Sequence, residues 1–488
     1  MKNQVQLITY SDRLGKQGLP GIISLFNNEL KGVFGGVHLL PFYYPIDGAD
    51  AGYDPIDHTR VDERIGSWDD VATIAENFDI MGDIIVNHVS AQSAEFLDVE
   101  EKGSESDFFD LFLTKEKVFP KGANDKAIKA IYRPRPNLPF TEKTLKNGEK
   151  VNLWTTFTSN QLDIDVNHPL GVKYLDSILT RFSESGIKMI RLDAAGYAIK
   201  KAGTSCFMLQ ETYKFIDEFT QKAKKMGMEV LVEIHSHYEQ QIAIAKKVDF
   251  VYDFALPPLI LHSIRTGRFA EIKKWLEISP RNCVTVLDTH DGIGVIDVAK
   301  AGDRPGLLSD DDVDQLVECI HENSKGESRK ATGAAASNLD LYQVNCTFYD
   351  ALARNDKNYL IARAIQFFCP GIPQVYYVGL LAGENDMELL QETQVGRDIN
   401  RHYFDKEEIA KDLEKEVVKS LVRLIKLRNS HAAFSGNFSI ESSDENTLHL
   451  AWTKDFHRAE LRVNMNSGKF EIMYNDGPTV KQIDFDHL

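Results

Sequence analysis

Eight short apolar runs, rich in β-branched and aromatic residues, recur along the chain and are separated by stretches with helical periodicity. They cover residues 6–10, 36–42, 83–88, 188–194, 229–235, 250–256, 283–291 and 371–378. Most lack a strict alternation of polar and apolar residues, which is typical of parallel strands buried on both faces. Eight strand–helix units predict an α/β fold, a (β/α)8 TIM barrel, with an open doubly wound sheet as the alternative.

The clearest helical pattern between these runs covers residues 205–227. Its apolar residues recur at spacings of three and four, and Gly227 stands where a glycine would end the helix. Similar patterns over 67–78 and 171–186 support a helix after each strand.

Two connections between the predicted strands are too long to be simple loops. Residues 93–167 would form an inserted domain after strand 3, and residues 293–349 an inserted lid subdomain after strand 7. Both would leave the carboxyl ends of strands, the face on which barrel active sites are built. The barrel itself would comprise residues 1–92, 168–292 and 350–431.

Beyond residue 432 the pattern changes to runs of period two, separated by turn-rich spacers. This pattern predicts a small C-terminal antiparallel β domain over 432–488.

Charge and cysteine content exclude several classes of protein. The net charge is −17, from 56 Lys and Arg against 73 Asp and Glu, so neither nucleic acid nor an anionic membrane is an expected partner. The five cysteines form no CxxC pair, which argues against a zinc site or a disulfide framework and fits a reducing compartment. The apolar stretch 364–383 contains Pro370 and Pro373, unlike a membrane helix. We therefore expect a cytoplasmic protein.

Ionisable residues cluster at the ends of four predicted strands. These are Asn87 with His88, Arg191 with Asp193, Glu233 with His235, and His290 with Asp291. Side chains at these ends would converge on one pocket. Paired carboxylates beside a developing oxocarbenium ion are what glycoside transfer requires.

Zinc is the rival use of the same side chains, since His88, His235 and His290 are possible ligands. No HExxH motif is present, and neither is a GxGxxG, GxxxxGK[ST] or GxSxG motif. We expect no metal and no cofactor.

Four segments, DIIVNH, GIKMIRLDAAGY, VLVEIHSH and VLDTHDG, resemble in order the signature regions of the α-amylase superfamily, glycoside hydrolase family 13. The segments ADAGYDPIDHTRVDERIGSWDD, NLDLYQVN and GRDINRHY further resemble the phosphorylase branch of that family. The resemblance extends over nearly the whole chain and is weakest in 93–167 and beyond about residue 440.

The resemblance implies a role for each acid. Asp193 would be the nucleophile, Glu233 the general acid and base, and Asp291 the acid that grips sugar hydroxyls and stabilises the transition state. Arg191, two residues before the nucleophile, would hold Asp193 ionised.

The same resemblance implies a glucose subsite that admits one terminal glucosyl unit. Asp50 and Arg397 would pair to close its far end, and His235 would face the acceptor side. The implied sugar-binding residues are Asp50, Tyr53, His88, Phe157, Gln161, Arg191, His235, His290 and Arg397.

The two insertions would supply the acceptor site. Asp340 and Gln343 match contacts to fructose, whereas Arg135 and Tyr342 match contacts to phosphate. The assignment is chemically coherent, because a carboxylate repels phosphate while guanidinium and phenol donors attract it.

The implied activity is the reversible phosphorolysis of sucrose to α-D-glucose 1-phosphate and D-fructose, through a covalent β-glucosyl-aspartate. Three alternatives remain: a related phosphorylase acting on sucrose 6'-phosphate or on a glucosylglycerol- or glucosylglycerate-type substrate, a plain hydrolase, and an inactive barrel that only binds sugar. The loop NLDLYQVN carries an acid and no base, which favours unphosphorylated fructose. Whether the chain is a monomer or a homodimer is left open.

Overall fold

A computed structural model describes residues 1–48, 50–133, 138–333 and 343–483. Its centre is a closed barrel of eight parallel strands, in which each strand pairs with its neighbours along the chain and the last pairs with the first. The strands are β1 (Gln6–Thr9), β2 (Gly36–Leu39), β3 (Asp79–Ile85), β4 (Met189–Asp193), β5 (Glu229–Val232), β6 (Phe250–Asp253), β7 (Cys283–Thr285) and β8 (Ile372–Tyr376). Seven of the eight predicted runs contain one of these strands, and the run 83–88 covers the end of β3. The TIM barrel is therefore confirmed and the open sheet is wrong.

Helices follow the strands and cover the outside of the barrel. Those outside the inserted segments are Gly18–Asn27, Trp68–Ala75, Pro169–Glu184, Gln210–Lys225, Tyr238–Ala245, Leu256–Thr266, Ala270–Ile278, Asp356–Phe368, Tyr377–Leu380, Met387–Thr393, Lys406–Asp412 and Glu416–Ser430. Short 3₁₀ helices lie at Gly103–Glu105, Phe109–Leu111, Ala195–Tyr197, Gly396–Asn400 and Ala432–Ser435.

The helix predicted over 205–227 is shorter than expected at its start. It runs over Gln210–Lys225, because Cys206 and Met208 have φ of 53° and 49°, and left-handed residues interrupt a right-handed helix. Gly227 has φ of 80° just beyond its end, as predicted. Phe215 and Phe219 are among the residues that this helix buries.

The segment after β3 contains two short antiparallel ladders. His88–Ser90 pairs with Gln161–Asp163, and Phe140–Thr144 pairs with Lys150–Trp154. The first ladder sets two elements of the insertion beside the mouth of the barrel. Helices in this segment are Ala94–Lys102, Lys115–Val118 and Asp125–Lys129.

The segment after β7 is mostly helical. Its strand Ile293–Gly294 pairs with Gln343–Val344, which brings the end of the segment back to the loop that follows β7. Its helices are Asp310–Asn323, Glu327–Gly333 and Phe348–Ala351. A further two-stranded ladder, Tyr43–Tyr44 with Asp57–Val61, follows β2.

The C-terminal region forms one five-stranded antiparallel sheet in chain order. Its strands are β9 (Asn437–Ile440), β10 (Thr447–Lys454), β11 (His457–Asn464), β12 (Lys469–Asp476) and β13 (Thr479–Ile483). Trp452 docks this sheet on the barrel, because its buried indole Nε1 donates to the carbonyl of Phe368 at 2.8 Å. The prediction of a C-terminal antiparallel sheet is therefore confirmed. The boundaries of this domain and of the two insertions stay predictions.

The apolar stretch 364–383 holds the end of the helix Asp356–Phe368, strand β8 and the short helix Tyr377–Leu380 rather than one long helix. Within the described part of the chain, no helix combines the length and the apolar character needed to cross a bilayer.

Candidate active site

The three acids singled out in the sequence lie at the carboxyl ends of barrel strands. Asp193 is the last residue of β4, and Glu233 directly follows β5. Arg191 contacts both: its Nη1 lies 3.0 Å from Asp193 Oδ1 and its Nη2 lies 3.8 Å from Glu233 Oε1. Asp291, in the loop after β7, offers an oxygen within 4.8 Å of Glu233 and His235. One guanidinium therefore serves the two carboxylates predicted to carry out the chemistry.

Asp83 anchors that guanidinium and was missed in the sequence. It lies on β3 in register with Arg191 on β4, and Arg191 Nη1 donates to Asp83 Oδ1. His38 Nε2 lies 2.8 Å from the other carboxylate oxygen. Burial raises the pKa of Asp83, but Arg191 and His38 outweigh it and lower that pKa to about 2. The sequence did indicate such a contact, because a charged residue inside an apolar parallel strand needs a buried partner.

The electrostatics of Asp193 differ from the expectation. Burial raises the pKa of Asp193 well above its ordinary range, Arg191 opposes that rise, and the charge of Glu233 adds to it. Arg191 thus favours the ionised form, as expected, but does not by itself hold Asp193 ionised. Because Arg191 lies closer to Asp193 than to Glu233, its Coulomb attraction is stronger for a negative charge on Asp193.

Asp291 is held ionised by several cationic neighbours. Arg397 Nη1 lies 2.8 Å from Asp291 Oδ1, and His290 Nε2 lies 3.7 Å from Oδ2. Burial raises the pKa of Asp291, but the guanidinium groups of Arg397 and Arg401 outweigh it and lower that pKa well below its ordinary range. A carboxylate that stays ionised at this position can accept hydrogen bonds from sugar hydroxyls, which are donors.

The expected pair between Asp50 and Arg397 stays a prediction. Both residues make further contacts, and the ion pair described for Arg397 is with Asp291. The backbone N–H of Asp50 donates to Asp54 Oδ1 at 3.2 Å, a contact within its own loop.

Tyr53 and His290 form an aromatic stack beside these acids, and we refer to its outer face as the Tyr53–His290 surface. Their rings stack with centroids 4.9 Å apart and planes 10° apart. The phenol of Tyr53 lies 3.3 Å from Arg191 Nη1 and 3.4 Å from Asp83 Oδ1. Burial lowers the pKa of His290 to about 3, so its imidazole is neutral. A neutral aromatic surface of this kind can pack against the apolar face of a pyranose.

Three further predicted sugar-binding residues gather around the backbone of Tyr53. His88 Nε2 donates to the Tyr53 carbonyl at 3.0 Å, and Gln161 Nε2 donates to the same oxygen at 3.3 Å. The ring of Phe157 lies edge-on to His88 with centroids 5.4 Å apart. The predicted cluster is thus assembled by the ladder between His88–Ser90 and Gln161–Asp163.

A buried ion pair behind this cluster was not found from the sequence. Lys200 Nζ lies 2.5 Å from Asp163 Oδ2, and both side chains are almost fully buried. Lys200 also donates to Asn87 Oδ1, which joins the loops after β3 and β4. The sequence holds no sign of this contact, because a lysine in a connecting segment is usually solvated.

The ring of His235 stacks on Phe254 with centroids 3.8 Å apart, and its place on the acceptor side stays a prediction. Its Nδ1 lies 3.1 Å from Asp297 Oδ2, and its Nε2 lies 3.3 Å from Gln343 Nε2. Burial lowers the pKa of His235, but the Asp297 carboxylate outweighs this and raises it. Asp297 is the last residue of the THDGIGVID segment and was not recognised there as a site residue.

A pocket opens beside these residues, and its lining includes His235, Asp291 and Gly292. Glu233, His235 and Asp291 could geometrically face one ion, but Arg191 and Arg397 already supply positive charge beside the acids. A second cation is therefore disfavoured, and we assign no metal to this group.

Three acceptor-site residues lie outside the described part of the chain. Arg135, Asp340 and Tyr342 belong to 134–137 and 334–342. Gln343 is the predicted acceptor residue that the structure places, beside His235.

We expect Asp83→Asn to lower the free energy of unfolding by about 3 kcal/mol. Removing one charge of a buried ion pair is costly, and here both Arg191 and His38 lose a fully buried carboxylate partner. Urea unfolding at neutral pH measures this effect.

Asp193→Asn is the matched control, since it removes the other carboxylate on Arg191 Nη1. The folded-state pKa of Asp193 is raised, so its ionised form weakens the fold at neutral pH. This variant should be as stable as the parent or more stable. Equal destabilisation by the two substitutions would contradict the anchoring role of Asp83.

Comparisons with known proteins agree with this architecture. The family model for the alpha amylase catalytic domain matches residues 11–420. A sucrose phosphorylase of Agrobacterium vitis is 60% identical over 473 residues, covering 97% of both chains. A sucrose phosphorylase of Bifidobacterium adolescentis is 52% identical, covering 96% of this chain and 93% of the relative.

A solved structure is also similar over almost the full length. The crystal structure of a sucrose 6F-phosphate phosphorylase from Thermoanaerobacter thermosaccharolyticum superposes with a TM-score of 0.91 at 38% identity, covering 99% of this chain and 98% of that one. The chain therefore belongs to the alpha-amylase family and, within it, to the sucrose phosphorylase family of enzymes.

Proposed function

We propose that this enzyme catalyses the reversible phosphorolysis of sucrose to α-D-glucose 1-phosphate and D-fructose by double displacement. The observation that carries the proposal is the placement of Arg191 between Asp193 and Glu233. It gives two neighbouring carboxyls different roles, one ionised and one protonated. We infer the glucosyl donor, sucrose, and the acceptor, phosphate, from relatives that are named sucrose phosphorylase.

In the first half-reaction Asp193 attacks the anomeric carbon of the glucosyl unit. The bond to the fructosyl oxygen breaks, and Glu233 gives its proton to that oxygen. The product is a β-glucosyl ester on Asp193 and neutral fructose. Before this step Arg191 stabilises the negative charge of Asp193. After it, the same guanidinium stabilises the new carboxylate of Glu233, whose Oε1 lies 3.8 Å from Nη2.

In the second half-reaction phosphate loses a proton to Glu233 and attacks the same carbon from the vacated side. Asp193 leaves as a carboxylate, and two inversions retain the α configuration. The Tyr53–His290 surface and the Asp291 carboxylate hold the glucosyl unit through both steps. The charge of Asp291, kept by Arg397, also favours the positive charge that develops on the sugar ring.

A panel of glucosyl donors tests the proposal. The rate of glucose 1-phosphate formation is measured with sucrose, sucrose 6'-phosphate, glucosylglycerol and glucosylglycerate, each with phosphate in excess. We expect kcat/KM to be highest for sucrose. A higher value for any other donor would assign the enzyme to that donor, and free glucose from all four would indicate a hydrolase.

Arg135→Ala should shift the products of sucrose turnover from glucose 1-phosphate toward free glucose. Arg135 is proposed to bind phosphate by charge-assisted hydrogen bonds, each worth about 1.5–3 kcal/mol. Water needs no such contact, so hydrolysis of the glucosyl enzyme should survive. The measurement is the product ratio at fixed sucrose across a phosphate series.

Arg133→Ala is the matched control, since it removes the same side chain two residues earlier. It should leave the ratio at its parent value. If Arg135→Ala lowers the total rate but leaves the ratio unchanged, phosphate is bound elsewhere.

A further inference from the structure

Asp297 is a buried carboxylate that receives three N–H groups. Its Oδ1 accepts from the backbone N–H of Ser236 at 3.2 Å and from Gln241 Nε2 at 2.9 Å. Its Oδ2 lies 3.1 Å from His235 Nδ1. A carboxylate can only accept, so His235 must carry a proton on Nδ1. The side chain of Asp297 is fully buried, which leaves it no contact with solvent.

The opposite edge of the His235 ring faces a hydrogen-bond donor. Gly292 N–H donates to Gln343 Oε1 at 3.3 Å, and this contact fixes the orientation of the Gln343 amide. Gln343 therefore directs its NH₂ group at His235 Nε2, 3.3 Å away. That nitrogen accepts and carries no proton. Two independent contacts thus select the same tautomer, with the proton on Nδ1 and a lone pair on Nε2.

The backbone leaves room for the Asp297–His235 contact at Gly294. A Cβ at this position would lie 2.7 Å from Asp297 Oδ2 and 3.2 Å from His235 Nδ1. Any side chain there would enter the space between the two groups. The glycine is therefore required by this contact.

We propose that Asp297 is a positioning residue that acts through His235, fixing the imidazole so that its Nε2 lone pair can exchange the Gln343 donor for the hydroxyl of the sugar acceptor beside Glu233. His235 Nε2 lies 3.8 Å from Glu233 Oε1, so a hydroxyl that exchanges a proton with Glu233 can contact both. The catalytic part of this inference rests on the proposed function, whereas the tautomer does not.

Asp297→Asn should reverse the tautomer while preserving the shape of the side chain. The amide oxygen remains where two donors, Ser236 N–H and Gln241 Nε2, meet it. The NH₂ group then faces His235 Nδ1, which has to accept, and the proton moves to Nε2. A proton on Nε2 faces the NH₂ group of Gln343, so two donors oppose each other. Nε2 then has no lone pair with which to accept from a sugar hydroxyl.

Nitrogen-15 NMR of histidine-labelled protein reads the tautomer directly. The resonances of His235 are assigned by their loss in His235→Gln. We expect protonated Nδ1 in the parent and protonated Nε2 in Asp297→Asn. A parent spectrum with the proton on Nε2 would overturn the proposal, whatever donor the enzyme uses.

Transfer kinetics test the consequence. We expect Asp297→Asn to raise KM for fructose in the synthetic direction, or to lower the rate of that transfer, by about tenfold or more, as for other residues that orient a functional histidine. The burst of fluoride released from α-glucosyl fluoride should stay within about twofold, because that step uses no sugar acceptor. Equal losses in both assays would contradict the acceptor-side role.

A double-mutant cycle with His235→Ala separates action through His235 from a general structural effect. The loss caused by Asp297→Asn should disappear when His235 is absent, and an undiminished loss would overturn the proposal. Gly294→Ala is a second variant, which separates Asp297 from His235 with both side chains intact. It should reproduce the loss of fructose transfer and spare the fluoride burst.

Discussion

Asp193→Ala should lower sucrose turnover by about 10³-fold or more. Asp193 is the carboxylate at the end of β4, 3.0 Å from Arg191 Nη1, and it is proposed to attack the sugar. Without the nucleophile the glucosyl enzyme cannot form. The assay is steady-state formation of glucose 1-phosphate from sucrose and phosphate. Mass spectrometry of the parent and the variant, quenched during turnover, should show a glucosyl adduct on the parent alone.

Thermal unfolding provides the control for this prediction. The variant should unfold at or above the temperature of the parent, because the raised pKa of Asp193 marks a carboxylate that is costly to bury. A variant that retains a tenth of the parent activity would remove Asp193 from the role of nucleophile.

Glu233→Gln should lower turnover of sucrose by about 10²- to 10⁴-fold, the usual contribution of a general acid. The fructosyl oxygen is a poor leaving group unless it is protonated, and a glutamine carries no transferable proton. The same variant should form the glucosyl enzyme from α-glucosyl fluoride at a rate close to that of the parent, because fluoride leaves without a proton. The measurement compares the fluoride burst with sucrose turnover.

Asp249→Asn is a matched control for this comparison. Its carboxylate pairs with Lys224 away from the site, so both assays should remain at the parent rate. Equal losses of Glu233→Gln on sucrose and on the fluoride would contradict its role as the acid.

The barrel was predictable because its strands are buried on both faces and are therefore continuous in apolar residues. The C-terminal sheet was predictable for the opposite reason, since its strands alternate. Sequence periodicity did not reveal where the helix over Gln210–Lys225 begins. That boundary depends on left-handed backbone at Cys206 and Met208, which non-glycine residues seldom adopt.

The site was predictable where its residues end strands, as Asp193 and Glu233 do, because the topology itself brings those ends together. Contacts that depend on register or on loop packing were not predictable. Asp83 and Arg191 are 108 residues apart and meet only through the register of β3 and β4. Asp297 reaches His235 only because the segment after β7 packs against the segment after β5.

The phosphate dependence of the products tests the central claim most directly. The enzyme is incubated with sucrose and inorganic phosphate, and the products are followed by phosphorus-31 and proton NMR from the first turnovers. We expect α-D-glucose 1-phosphate and D-fructose in equal amounts, with the α anomer formed first and glucose released slowly when phosphate is omitted. Free glucose formed at the same rate with and without phosphate, or β-glucose 1-phosphate as the first product, would contradict phosphorolysis by double displacement on Asp193.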